Sequence, residues 1–353
     1  VTDKSWAIAR EKMGYSKIAN KKLMNIYSGK PYIDVRKSFF SFLPEKVNIS
    51  DKNIIVDFWI EKLKKNPFLH DKVEFDVAVT AYDFEIKKKL KNYFPNNISP
   101  KTKKKIESLY KDIFIKNINK KSDVNLDKIS KKIYYLNLLQ KKFSINKSRK
   151  KNIENVKLII KNCKKYGIIP FAQAARHGFI AKGLLDSLVS KKIFSQKRSI
   201  ELQKVVNTVT SNFLEDINLV KKKKLTKSSF FRKYGHLRPG AYDITSKNYR
   251  EMKNIFFEKA FKVKKHKFKL NTKEQNKLNV LLNKEKIDLN HESLINYIIG
   301  SIELREFSKF IFSKSIDNIF RLLIKIVPKK LKNKKIISFF SINEILNDKA
   351  SIK

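Results

Sequence analysis

Between Phe230 and Ile244 the chain reads FFRKYGHLRPGAYDI, which sets His236 and Arg238 between Gly235, Pro239 and Gly240. Glycines at 235 and 240 can take backbone angles closed to other residues, and Pro239 fixes its own φ while pushing Arg238 toward extended angles. A turn so constrained is rigid and closely approached. His236, Arg238, Tyr242 and Asp243 would project from it as a cation pair with a hydrogen-bonding and acidic edge, suited to a phosphate, carboxylate or hydroxylated ligand. The same residues also fit a purely structural loop, with His236 and Arg238 bonded to backbone carbonyls and Asp243 capping the next helix.

Two further places carry polar side chains in chemically suggestive settings. Pro170 opens a helical stretch in which Ala172, Ala174, Ala175, Gly178, Ala181 and Gly183 make one side unusually small, and Arg176 and His177 emerge from it. That surface suits either close helix packing, with Arg176 paired to a buried acid, or the wall of a ligand site. Near the other end of the chain, Arg305, Glu306 and Lys309 sit at i, i+1 and i+4, an arrangement that on a helix is either a solvated face or part of a site.

The elements that must position these groups are mostly helical. Apolar residues recur at helical spacing from Ile54 to Leu63, with Asn66-Pro67 as a stop, and again at about 100 to 118, 123 to 143, 150 to 166, 170 to 191, 195 to 219, 272 to 285 and 291 to 325. Asp3 to Lys12 also reads as helix. The exception is Val73 to Thr80, whose strict alternation predicts a half-buried strand paired with Tyr32 to Arg36. Arg36 would then share a face with Asp34 and could serve the same pocket. The expected fold class is therefore mainly α with a small N-terminal α+β part, with residues 1–95 as an α+β subdomain and 96–353 as a helical bundle carrying the histidine loop. The Lys/Asn-rich stretch at about 117 to 128 reads as a mobile linker.

The net charge of +47 suggests a nucleic-acid partner at first sight, but only ten of the 80 basic residues are arginine. Lysine, asparagine and isoleucine are abundant together, the mixture expected from an AT-rich coding background, and the basic clusters are scattered without interleaved aromatics. Nonspecific polyanion binding at low salt follows from the charge alone. Cys163 is the only cysteine, which excludes a disulfide framework and a cysteine metal cluster. No apolar run approaches the roughly 18 residues of a spanning helix, and a cytoplasmic location without a membrane partner is expected. The chain starts at Val1 on what reads as a helix, so it is expected to be cut from something longer. There is no GxGxxG, Walker loop, HExxH or nucleophile elbow, which leaves a stand-alone kinase, metalloenzyme or hydrolase without support.

Six segments together resemble a known family: WAIAREKMGY (6–15), GKPYIDVRKSFFSFLP (29–44), NPFLHDKVEFDVAVTAYDF (66–84), PFAQAARHGFIAKGLLDSLV (170–189), YGHLRPGAYDITSKNY (234–249) and REFSKFIFS (305–313). Their order is similar to the central region of phosphoenolpyruvate synthase-like, PEP-utilising phosphotransferases with the domain order of rifampicin phosphotransferase. In such proteins an ATP-grasp domain phosphorylates a histidine on a swivelling domain, which carries the phosphoryl group to an acceptor held in the central, mainly helical domain. The resemblance implies a small-molecule acceptor, ATP-grasp and swivelling phosphohistidine domains as partners in cis or from a split gene, and ATP with Mg²⁺ bound outside this chain. On this reading Arg176 and Arg238 clamp the anion, His236 is the candidate general base and Asp243 its orienter, with Arg36, His177, Tyr242, Arg305 and Lys309 as further binding residues. Arg176, His236 and Arg238 are expected to face one cavity. The competing readings are a basic helical nucleic-acid-binding protein and a non-catalytic scaffold.

Overall fold

The computed structural model describes residues 3–27, 30–252, 255–257 and 266–347. Val1, Gly29 of the second family-like segment and Lys264 and Lys265 of one basic cluster lie outside them. Within the described residues the chain is mainly α, with one two-stranded sheet near the N-terminus. The first part runs α1 (Asp3–Lys12), β1 (Met24–Tyr27), β2 (Lys30–Ile33), α2 (Val35–Phe40), α3 (Ile49–Lys65), α4 (Ile86–Tyr93) and α5 (Pro100–Ile118). Then come α6 (Leu126–Lys141), α7 (Arg149–Asn162), α8 (Ile169–Ser190), α9 (Gln196–Val205), α10 (Val209–Lys221) and α11 (Lys227–Tyr234). After the histidine loop follow α12 (Thr272–Lys284), α13 (His291–Ile326), α14 (Lys334–Ile337) and α15 (Ile342–Leu346).

The chain divides into two compact units, neither of them continuous in sequence. The first comprises Val1–Ser130, Ile169–Val206 and His266–Arg305, and the second Lys131–Ile168, Asn207–Lys265 and Glu306–Lys353. A boundary at residue 95 therefore does not describe this packing. Helical periodicity sees elements along the chain, whereas the units are assembled from helices far apart in it.

Local signals explain most element ends. Ser99, Ser148, Ser195, Thr208 and Thr226 each accept a hydrogen bond from the backbone N–H three residues on, and Asn271 with Glu274 forms a reciprocal capping box. The cap at Thr208 breaks the single helix expected over 195 to 219 into α9 and α10. The stretch at 117 to 128 is a packed turn in place of a linker. Asn117, Val124 and Asn125 are buried, and the Asn125 amide donates to the carbonyls of Asn119 and Lys120 at 3.1 and 2.8 Å.

Val73 to Thr80 is not a strand. Residues Val73–Val77 form one turn of π-helix, closed by Ala78 N–H on the Val73 carbonyl at 2.9 Å, and β2 pairs antiparallel with β1 instead. Consecutive side chains of a strand point to opposite faces. Here neighbours Glu74 and Phe75 both reach α8, Glu74 to Arg176 at 3.3 Å and Phe75 edge-on to Phe179 at 5.6 Å, which the tighter backbone allows. Arg36 is correspondingly on α2, where Asp34 caps the helix; its guanidinium is half exposed and pairs with Asp57 of α3.

The core of the first unit centres on Trp59, packed edge-on against Phe39 and Phe94, and on Tyr110, whose hydroxyl lies 2.7 Å from the Val79 carbonyl. The small side of α8 is a packing surface. A Cβ on Gly183 would stand 3.3 Å from the Asp83 carboxylate, and one on Gly178 would stand 3.0 Å from Cδ of Arg305.

Arg176 is wholly buried in this core. It binds Glu74, donates to the Tyr15 hydroxyl at 3.3 Å and bonds the Thr80 carbonyl. Arg10, also buried, approaches the same Glu74 oxygen at 3.9 Å and lies 4.4 Å over the Phe42 ring. Burial and the neighbouring Arg176 bring the Arg10 pKa down to about 10. Two buried guanidiniums thus share one carboxylate. Glu74→Gln should cost about 3 kcal/mol or more, since it strands charge in the core. A denaturation midpoint within experimental error of the wild type would contradict this account.

Candidate functional site

The histidine loop lies in the second unit, between α11 and the C-terminal half of α13. Thr226 starts α11, and its end is set by Gly235, whose N–H bonds the Phe231 carbonyl at 2.9 Å. A Cβ at Gly235 would fall 2.3 Å from that same oxygen, so the chain can turn there only with glycine. Among the described glycines only Gly14 has positive φ, so close approach, and not a left-handed backbone, is what Gly235 and Gly240 provide. The loop then folds on itself: Tyr249 N–H bonds the Leu237 carbonyl at 2.8 Å, and Arg250 N–H bonds that of Gly235 at 3.2 Å. Beneath it, Phe213, Phe230, Tyr234 and Phe256 form an aromatic cluster, and the Tyr234 hydroxyl donates to Asp216 at 2.9 Å.

Arg238 does not point at a ligand. Its side chain is 5 % exposed and makes an ion pair with Asp317 of α13, itself 2 % exposed. Weaker bonds to the carbonyls of Asp243 and Ser246, at 3.3 and 3.4 Å, brace the turn after Pro239. Asn248 donates to the same Asp317 oxygen at 3.0 Å, and Arg250 stands 4.0 Å from the other. Sequence reading passed over Asp317. A signal was there, because it is the one acid between Glu306 and Glu344 in a lysine-rich region.

His236 is buried, its Nε2 at 3.0 Å from the Phe310 carbonyl and its ring against that of Phe310. A carbonyl only accepts, so Nε2 carries a proton. Burial, with Lys314 and Arg250 nearby, pushes its pKa down to about 3. A base so weak is poorly matched to proton transfer near neutrality. Asp243 does not orient it either: this exposed carboxylate accepts from Thr245 N–H at 2.8 Å and its hydroxyl at 2.7 Å, which holds it below the usual carboxylate range. The base and orienter roles expected for His236 and Asp243 are therefore not supported by this geometry.

A cavity of about 240 Å³ nevertheless opens beside the loop. Glu306, Lys309, Phe310 and Ser313 line it from α13, at i, i+3, i+4 and i+7, hence along one helix face. His236, Leu237, Arg238, Pro239 and Ala241 form the opposite wall, and Tyr249, Val209 and Thr210 complete it. The histidine loop and the Arg305, Glu306 and Lys309 group, some 70 residues apart and singled out separately in the sequence, thus bound one space through Glu306 and Lys309, while Arg305 does not line it. Thr210, and Ser313 at the end of the REFSKFIFS segment, are uncharged hydroxyls that residue type alone does not single out. Lys309 brings an exposed ammonium to the rim.

The remaining expected site residues lie elsewhere. Tyr242 is exposed and stacks over Phe312. Arg305 belongs to the first unit, over Gly178 and the Phe179 ring. His177 is a core histidine, at 2.9 Å from the Tyr297 hydroxyl and 2.8 Å from the Val124 carbonyl, with burial lowering its pKa to about 4. Arg176 is spent inside the first unit and Arg238 inside the second, each on an acid, so neither guanidinium is left to clamp an anion. No group of three or more potential metal-ligating side chains occurs among the described residues.

The neutral histidines set a pH dependence with a definite sign. Above about pH 7 both rings are uncharged in folded and unfolded chains. Below the ordinary histidine pKa near 6.5 the unfolded chain takes up protons that the folded one refuses, so stability falls with pH by up to about 1.4 kcal/mol per unit for each ring. Unfolding followed from pH 7.5 to 4.5 should show a shallower slope in His236→Gln than in the wild type; equal slopes would mean that the ring charges in the folded protein. Gly240 offers a second test. A Cβ there would lie 3.0 Å from Cβ of Asp243, so Gly240→Val should destabilise by about 1 to 3 kcal/mol, where an open surface loop would lose under about 0.5.

The chain matches no protein-family model, no curated protein and no solved structure.

Proposed function

We propose that the cleft between the histidine loop and α13 holds the acceptor of a phosphoryl group, in a module like the central region of PEP-utilising, phosphoenolpyruvate synthase-like phosphotransferases. One observation carries the reading: two of the family-like segments, YGHLRPGAYDITSKNY and REFSKFIFS, supply most of the walls of one cavity. Their separate resemblance in sequence becomes a shared place in space.

In this reading the chemistry is positioning and electrostatics, which supply most of phosphoryl-transfer catalysis. The hydroxyls of Thr210, Ser313 and Tyr249 hold a hydroxylated acceptor, and the apolar wall of Leu237, Pro239, Ala241 and Phe310 covers its body. Lys309 meets the charge on the incoming phosphoryl group. His236 and Arg238 act through the wall they hold rigid. The phosphoryl donor is a swivelling phosphohistidine domain, charged by an ATP-grasp domain that binds ATP and Mg²⁺. Glu306 is the one carboxylate in the cleft and stands beside a lysine, a donor set unsuited to Mg²⁺, so the metal belongs with the nucleotide.

Calorimetric titration of the chain with small phosphorylated and polyhydroxylated compounds tests the reading. Saturable binding of one class is expected, and Lys309→Met should weaken the phosphorylated members by about 10- to 100-fold, the worth of a charge-assisted hydrogen bond, without moving the melting temperature. Binding that Lys309→Met and Ser313→Ala both leave unchanged would place the acceptor elsewhere.

A further inference from the structure

A groove of about 810 Å³ runs between α4 and α5 in the first unit, apart from any residue of the cleft. Six lysines line it: Lys87 and Lys91 from α4, Lys103, Lys104 and Lys111 from α5, and Lys286 from the turn after α12. Only Lys87 and Lys111 have an acid at ion-pair distance, Glu107 at 3.8 Å and Glu285 at 3.4 Å. Lys91, Lys103, Lys104 and Lys286 have none among the described residues.

Two features separate this groove from the general lysine background. It is a depression lined by six lysines, so their fields add over one surface, although Lys87, Lys91, Lys104 and Lys286 are themselves solvent-exposed. The first turn of α5, where acids are favoured, holds Lys101 and Lys103 and no acid, so the positive end of the helix adds to the charge of the groove. Folding has gathered six ammonium groups and few acids around one depression, which favours an anion there.

The lining also restricts the anion. It contains no aromatic ring and no arginine, so it has nothing on which a base could stack and no fork for a single phosphate or carboxylate. Lysines act as point charges spread along the groove. We infer that the α4–α5 groove binds inorganic polyphosphate, a flexible chain with a charge on every unit and no base to accommodate. The inference does not rest on the function proposed for the cleft.

The full chain is titrated with inorganic polyphosphate and, at matched phosphate concentration, with oligo(dT) and with orthophosphate. Affinity should rank polyphosphate above oligo(dT), with orthophosphate at least 100-fold weaker, and should fall steeply with salt. Charge reversal by Lys91→Glu, Lys103→Glu and Lys104→Glu together should reduce polyphosphate affinity at least tenfold and flatten the salt slope by about two to three. A control with the same net charge, Lys147→Glu, Lys150→Glu and Lys204→Glu, should lose less than about threefold. The corresponding lysine-to-glutamine triple in the groove, milder for folding, should follow the same order. Equal losses in groove and control variants would reduce the binding to net charge and overturn the inference. Tighter binding of oligo(dT) than of polyphosphate would overturn it in favour of a nucleic acid.

Discussion

Arg238 and Asp317 form the contact on which the second unit's site depends. A carboxylate 2 % exposed must be neutralised and hydrogen-bonded where it stands, or it costs several kcal/mol. Arg238 does the first, and the Asn248 amide adds a bond to the same oxygen. Because Arg238 and Asn248 sit near opposite ends of one loop, a single acid on α13 secures both, and the cleft wall between them follows. Pro239, Gly235 and Gly240 then have structural reasons: the arginine must leave the chain extended, and the backbone must pass close to Phe231, Asp243 and Ser246. The most distinctive residue of the motif is a strut. The strut leaves other groups, Lys309 among them, to line the cleft.

The first unit solves a related problem differently. Arg10 and Arg176 share Glu74, and the charge left over is spread over Phe42, Tyr15 and Phe179, whose rings lie within 4.4 to 5.8 Å of a guanidinium. Arginine is scarce in this chain, and where it occurs it is often given work that needs a planar fork. Arg198 grips both oxygens of Glu274 at 2.7 and 2.8 Å. Lysine carries the bulk of the net charge of +47 on solvated surface. Total charge therefore says little about partners, and the distribution of charge on concave surface says more. No helix among the described residues is long and apolar enough to cross a membrane.

The sequence by itself determined the class and many element ends. Helical spacing placed α5, α12 and α13 almost to the residue, because their apolar stripes and their stop signals are local. The Phe230 to Ile244 string stood out by its composition and Arg305, Glu306 and Lys309 by their helical spacing, and the string with Glu306 and Lys309, but not Arg305, reached the cleft. The alternation of Val73 to Thr80 misled, since period two describes a strand only if the two faces meet different environments; here Glu74 and Phe75 turn to the same helix. Only the tertiary structure decided which charged groups are spent. Whether Arg176 and Arg238 clamp a ligand or a buried acid depends on Glu74 and Asp317, about 80 to 100 positions away, and on burial that makes an unpaired charge prohibitive. His236 follows the same rule: its type suggests a base, but burial against Phe310, with Lys314 and Arg250 nearby, keeps it neutral even though a carbonyl faces Nε2. Residue type sets what a side chain can do, and desolvation with its partners sets which of those things it does.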